Sequence, residues 1–186
     1  MPQTKQQIRA TIAAQRKSFD FQWLERASDQ IVTNFLTLEV FHSSETVALY
    51  MAIGGEVRMD SLFTECWKRG KRTCIPVFNA ERNVYDMAEI SPETCFKVGN
   101  YGIKEPISPT LVPLDEIDLI AVPGVAFDLT RNRLGRGGGY YDRILEDFGG
   151  TSVAVAFGFQ ILEEIPVDPH DEPVDILITE IKVDEA

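Results

Sequence analysis

Apolar positions along this chain follow two alternating periods. Ile8 and Ile12 stand four apart on a polar background, the spacing of one helix face. Thr4, with Gln7 three residues on, has the form of a capping box, so a first helix is expected to start there. A second helix is expected after Asp20, with Phe21, Leu24, Ile31, Phe35 and Leu38 as its packed stripe. Thr46 to Ala52 is apolar nearly throughout, as in a strand of a parallel sheet covered on both faces. Asp60 is placed to cap a helix that buries Leu62, Phe63, Cys66 and Trp67 and ends at Gly70. Thr73 to Phe78 and Val84 to Ile90 read as strands on either side of a turn at Asn79–Asn83. Lys97 to Pro113, rich in proline and glycine, reads as mostly irregular. Further strands are expected at Leu119–Val122, Ser152–Phe157 and Val174–Ile178, the last of them followed by a polar tail from Lys182. Strands and helices alternate through much of the chain. A parallel or mixed sheet with helices on both faces satisfies that order.

Composition narrows the picture. At 186 residues with 44% hydrophobic residues, the chain is expected to form one domain, residues 1–186, with its own core. A net charge of −11 argues against non-specific nucleic-acid binding and against an anionic membrane surface. Cys66, Cys74 and Cys95 show no C-x-x-C spacing and fit buried apolar roles in a reducing compartment. His42 and His170 are too few for a histidine-built metal site. The sequence shows no signal peptide, lipidation motif or transmembrane run, so a soluble, cytoplasmic protein is expected, with no membrane partner.

One stretch concentrates the chemistry. After the Leu119–Val122 strand and Pro123-Gly124, the chain places Gly135, Gly137, Gly138 and Gly139 within five positions. Tyr141, Ile144, Leu145 and Phe148 then fall on one helix face, and Gly149-Gly150 ends it. Glycines let backbone N–H groups approach a phosphate, and a helix N-terminus favours an anion. Arg131, Arg133, Arg136 and Arg143 add guanidinium groups whose fork matches phosphate oxygens. Within residues 128–143 these four arginines face only Asp128 and Asp142, a basic island in an acidic chain. Asp142, in the first turn, can cap the helix or hold a divalent cation. The loop lacks the Gly-Lys-Ser/Thr closure of a P-loop, and it lies too far past its strand for a dinucleotide fingerprint. A flexible loop beside a solvated basic cluster is the plainer reading. Glu56, in Ile53-Gly54-Gly55-Glu56-Val57, follows a strand at its carboxyl end, where open α/β sheets bind ligands.

Val122-Pro-Gly-Val-Ala-Phe-Asp128 and Arg133-Leu-Gly-Arg-Gly-Gly-Gly-Tyr-Tyr-Asp-Arg143 together resemble the signature of the 5-formyltetrahydrofolate cyclo-ligase (methenyltetrahydrofolate synthetase) family. Lys5-Gln-Gln-Ile-Arg9, Tyr101-Gly-Ile-Lys-Glu-Pro106, the Phe-x-x-Gln element ending at Gln160 and His170-Asp171 resemble further segments of it. The resemblance implies a three-layer α/β/α sandwich with a mostly parallel, Rossmann-like sheet. It implies ATP-dependent cyclisation of 5-formyltetrahydrofolate to 5,10-methenyltetrahydrofolate, with ATP as co-substrate and Mg2+ as cofactor, by a monomer. ATP would be held by Lys5, Arg9, Arg133, Leu134, Gly135, Arg136, Gly137, Gly138, Gly139, Tyr140 and Tyr141. The folate would lie against Glu56, Met87 and Tyr140, the metal on Asp142 and Asp171, and the chemistry beside Arg136 and Tyr140. Read from the residues alone, Lys5 and Arg9 are an ordinary solvated helix face, Met87 is core filler and Tyr141 belongs to its helix's core face. Some family members carry a lysine at the place of Gly138, and here Arg136 is the expected substitute. Two other readings stay open: a sugar-phosphate isomerase or acyl-CoA transferase of related architecture, which would not need ATP, and a non-catalytic folate- or nucleotide-binding protein.

Overall fold

The computed structural model describes residues 3–99 and 102–185. Tyr101 of the Tyr-Gly-Ile-Lys-Glu-Pro segment lies outside the described residues. In chain order the elements are α1 (Lys5–Arg16), α2 (Phe21–Phe35), α3 (Glu39–Ser43), β1 (Thr46–Ala48), α4 (Asp60–Lys68), β2 (Arg72–Asn79) and β3 (Val84–Ile90). There follow β4 (Phe96–Val98), β5 (Lys104–Pro106), β6 (Thr110–Val112), β7 (Leu119–Val122), β8 (Ala126–Asp128), β9 (Arg133–Leu134) and α5 (Tyr140–Glu146). The chain closes with β10 (Thr151–Val155), β11 (Ile161–Leu162), β12 (Ile176–Ile178) and β13 (Val183–Glu185).

Eight strands form one sheet in the order β13-β12-β10-β7-β1-β2-β3-β6. The five from β12 to β2 pair in parallel, and β13, β3 and β6 join antiparallel at the edges. The fold is therefore α/β with a mostly parallel mixed sheet flanked by helices. Period-two alternation divides the strands between two cores. Val47, Leu49, Leu119, Ala121, Val153 and Val155 pack with α2, α3 and α4. Ala48, Ile120, Val122 and Ala154 face the other way and pack with α5 through Ile144. This accounts for the near-continuous apolar runs of the central strands.

The helix starts follow their caps. Thr4 and Gln7 form the capping box of α1, and the Asp20 carboxylate accepts from the Trp23 N–H at the start of α2. α4 differs from expectation: Met59 is its cap residue, with no side-chain hydrogen bond, and Asp60 lies within the first turn. The α2 stripe also needs correcting at one end. Phe21 is 65% exposed, and Ala27, Ser28, Ile31, Val32 and Phe35 fill the buried face.

Three strand expectations change. Regular pairing in β1 stops at Ala48 instead of Ala52, because after Leu49 the chain leaves the ladder toward the cleft described below. The 97–113 segment forms the β4–β5 hairpin and edge strand β6 where irregular chain was expected. The tail from Lys182 supplies β13, whose backbone pairs with β12. Cys66 and Cys74 are buried, and burial pushes both thiols up to about 12. Cys95 is exposed, contrary to a buried role. Among the described residues no helix is long and apolar enough to cross a membrane.

Candidate active site

In this sheet the chain passes from β1 to β2 on one side, while β7 pairs with β1 on the other. That reversal opens a crevice at the carboxyl ends of the strands. A cleft of about 1030 Å³ lies there. The Ile53–Glu56 turn after β1, Pro123-Gly124 after β7, the glycine loop, the first turn of α5, Lys5 and Arg9 of α1, and the Asp168–Asp171 segment all contribute to it.

The twelve residues between β7 and the glycines are now explained. They fold as the β8–β9 hairpin, to which β11 adds in parallel on the far side of β8. The turn of that hairpin is wrapped around a buried carboxylate. Asp128 Oδ1 accepts from the Thr130 N–H, the Thr130 hydroxyl and the Asn132 N–H, and Oδ2 from the Asn132 side chain and the Ile165 N–H. This fixes the point at which Arg133 leaves the hairpin. Sequence reasoning quoted Asp128 without giving it a task. Its signal was its place in an Asp-x-Thr-x-Asn turn, whose side chains satisfy local N–H groups.

Arg133, 5% exposed, donates from Nη2 to Asp142 Oδ1 at 2.6 Å, and its guanidinium lies over the Tyr141 ring. Its Nε is buried without a partner among the described residues. Gly139, at φ +64°, turns the chain into α5 from the left-handed region, and α5 has no side-chain cap. Arg9 donates from Nε to the Gly135 carbonyl at 2.9 Å, so α1 holds the loop directly. Arg136 reaches back across the cleft and donates to Glu56 Oε1 from Nη2 at 2.8 Å. Glu56 Oε2 accepts from the Ile53 N–H at 3.1 Å. Lys5 pairs with Asp168 at 2.7 Å and with Asp171. Burial raises the Asp171 pKa, but the Asp168 N–H and Lys5 outweigh it and hold the carboxyl below its usual range.

The cleft thus has two kinds of wall. Lys5, Arg9, Arg133, Arg136 and the glycines form a cationic, N–H-rich wall. Tyr85, Tyr140 and Glu56 form an aromatic and carboxylate wall, in which Tyr140 meets Tyr85 edge-on at 4.7 Å. Tyr141 both lines the cleft and packs on the core, and burial pushes its phenol pKa upward. Leu134 is buried in β9 with its neighbours of the α1 face, yet borders the cleft. Met87 does not come to this cleft. It is 2% exposed and packs in the core under α5, so the core-filler reading is the one its position supports.

A hard cation is compatible with the donor set. Asp142 and Asp171 both line the cleft, and each has one carboxylate oxygen committed to a cation, Asp142 Oδ1 to Arg133 and Asp171 Oδ2 to Lys5. The opposite oxygen of each is the kind of ligand Mg2+ takes alongside water and phosphate oxygens. Asp168 and His170 group with Asp171, with ligand atoms within 4.8 Å of one another. Asp168, Tyr50 and Tyr85 also line the cleft, although no motif in the sequence singles them out.

The sequence model of the 5-formyltetrahydrofolate cyclo-ligase family matches residues 1–180. This chain belongs to that family. A Haemophilus influenzae protein named 5-formyltetrahydrofolate cyclo-ligase is 32% identical over 183 residues, covering 95% of this chain and 98% of the relative. The mouse protein of the same name is 28% identical over 190 residues, 95% of this chain and 89% of that one. The NMR structure of Aquifex aeolicus 5,10-methenyltetrahydrofolate synthetase superposes with a TM-score of 0.86 at 40% identity, over 97% of this chain and 92% of that one. A Mycoplasma pneumoniae 5,10-methenyltetrahydrofolate synthetase, 24% identical with a TM-score of 0.76 over 96% of this chain and 99% of that one, shares the fold. The cyclo-ligases are enzymes, and the match spans every wall of the cleft.

Proposed function

We propose that this cyclo-ligase converts 5-formyltetrahydrofolate and ATP to 5,10-methenyltetrahydrofolate, ADP and phosphate, acting as a monomer. The observation that carries the reading is the single cleft joining a cationic, glycine-rich wall to an aromatic wall with a carboxylate. The first suits a triphosphate. The second suits a pterin, whose ring edge offers N–H donors to Glu56 and whose faces stack on Tyr140.

The chemistry requires activation of a formamide. Its oxygen is a poor leaving group and its carbon a poor electrophile. Transfer of the γ-phosphoryl group to that oxygen gives an iminium phosphate. The N10 amine then attacks the carbon and gives up its proton to solvent or to the departing group, and phosphate leaves with the C–O electron pair. Such a path asks the protein for positioning and charge stabilisation. Lys5, Arg9 and Arg133 hold the phosphates, and Arg136, two residues before Gly138, serves as the cation facing the transferred group. Tyr140 orients the formyl-bearing ring. Asp142 and Asp171 would hold Mg2+, which neutralises charge on the phosphate oxygens when bound.

The test is stoichiometry. ADP formed per methenyl product should be one, with no ADP released when 5-formyltetrahydrofolate is left out. Product formed without ATP consumption would overturn the reading.

A further inference from the structure

The Ile53–Glu56 turn carries the carboxylate assigned to the pterin, and two arginines grip it. Arg136 holds Glu56 from the glycine loop. Arg16 holds the turn from behind. Its Nη1 donates to the Gly54 carbonyl at 3.0 Å. Its Cδ lies 3.0 Å from where a side-chain Cβ on Gly55 would stand, and Gly55 sits at φ +78°, so the turn is shaped to let this side chain pass. The guanidinium is partly desolvated there: its Nε is buried without a hydrogen-bond partner among the described residues. Tyr50 braces the next residue from below, donating its hydroxyl to the Val57 carbonyl at 2.9 Å.

Helical spacing explains how Arg16 gets there. Lys5, Arg9, Ile12 and Arg16 fall at i, i+4, i+7 and i+11, along one face of α1. Ile12 anchors that face in the core. The N-terminal end of the helix thus meets the cationic wall, and its last residue meets the Glu56 turn. Nε and Nη2 of Arg136 are committed to Glu56 and the Ile53 carbonyl, so turning those donors onto a phosphoryl group releases Glu56. Once it turns away, the Glu56 carboxylate keeps the Ile53 N–H, and the turn is held by its own Glu56 N–H to Ile53 carbonyl bond and, from outside, by Arg16.

We propose that Arg16 is a positioning residue for folate binding, fixing the Gly54–Gly55 turn so that Glu56 stays placed when Arg136 engages phosphate. The proposal rests on the cyclo-ligase reading above. The experiment is steady-state kinetics on full-length wild type, Arg16→Met and Arg16→Lys, varying each substrate in turn, with thermal melting of each protein. Arg16→Met should raise the KM for 5-formyltetrahydrofolate about tenfold and leave the KM for ATP within about twofold. Arg16→Lys keeps the charge and one donor, and should recover most of that loss. Melting of Arg16→Met should change little, since the substitution also removes a buried unpaired N–H. Should Arg16→Met fail to fold, Arg16→Lys carries the test, with a folate KM raised about two- to threefold and an ATP KM unchanged. A folate KM equal to wild type in the folded variants, or equal increases in both KM values, overturns the proposal. Wild type with no turnover at all removes the underlying reading and the proposal with it, whereas wild-type turnover with no KM split removes the proposal alone.

Discussion

Replacing Asp128 by asparagine removes one charge from a fully buried carboxylate that accepts five hydrogen bonds. Every partner donates. The asparagine amide has one accepting oxygen and one donating NH2. If the NH2 takes the place of Oδ2, it meets the Ile165 N–H and the Asn132 NH2. If it takes the place of Oδ1, it meets the backbone N–H groups of Thr130 and Asn132. Either orientation leaves two donors facing a donor in the interior, at a cost of roughly 1–3 kcal/mol each. A loss of about 3 kcal/mol is expected, or a fall in melting temperature of about 10 °C for a chain of this size. The pH dependence follows from the direction of the Asp128 pKa. Burial raises it, and the hydrogen bonds from Asn132, Thr130 and Ile165 outweigh burial and lower it. A lowered folded-state pKa gives stabilisation that is full above the unfolded value, about 3.9, and lost as pH falls through the folded value. The gap between wild type and Asp128→Asn should therefore be constant at neutral pH and close in acid below about pH 4. Urea titrations at a series of pH values measure both. A gap under about 1 kcal/mol at neutral pH, or one unchanged into acid, would refute the reasoning.

Three further outcomes are expected. A Cβ on Gly138 would stand 2.5 Å from the Tyr140 ring, so Gly138→Ala must displace that ring; the folate KM should rise about tenfold, measured by steady-state kinetics. Thr4→Ala removes half of the α1 capping box and should cost about 1 kcal/mol in urea unfolding, with the melting slope unchanged. Native protein treated briefly with a maleimide should gain one label, at Cys95, because the Cys66 and Cys74 thiols are buried and pushed up to about 12; mass spectrometry of the peptides reads this directly.

What the sequence made legible was local. The Thr4–Gln7 box, the Asp20 cap and the β3 and β7 boundaries each depend on a few neighbouring residues and stand where their pattern placed them, and the helix after the glycines starts as expected but ends at Glu146, before Phe148 and the Gly149-Gly150 stop. Short strands were harder. β6 owes its form to pairing with β3, from which the β4–β5 hairpin separates it, and β13 to folding straight back onto β12; their own residues carry little period-two signal. The cleft followed the same division. The glycine loop, Lys5, Arg9, Glu56, Asp142 and Asp171 carried motif signals and all border one space. The pairings among them did not, because Arg136–Glu56, Arg133–Asp142 and Lys5–Asp171 join different parts of the fold. Met87 shows the limit of the motif: it shares a strand face with Tyr85, which borders the cleft, but is itself covered in the core under α5. Arg16 gave no signal beyond a basic residue at a helix end, and only its approach to Gly54 and Gly55 gives it a task.

The most direct measurement is near-ultraviolet absorbance, where the methenyl product absorbs and the formyl substrate does not. Protein is mixed with 5-formyltetrahydrofolate and Mg-ATP, with ATP omitted as the control. The account predicts an ATP-dependent rise that is lost in Arg136→Ala and in Asp142→Ala. No rise from folded wild-type protein that still binds ATP would contradict it and leave a binding protein in its place.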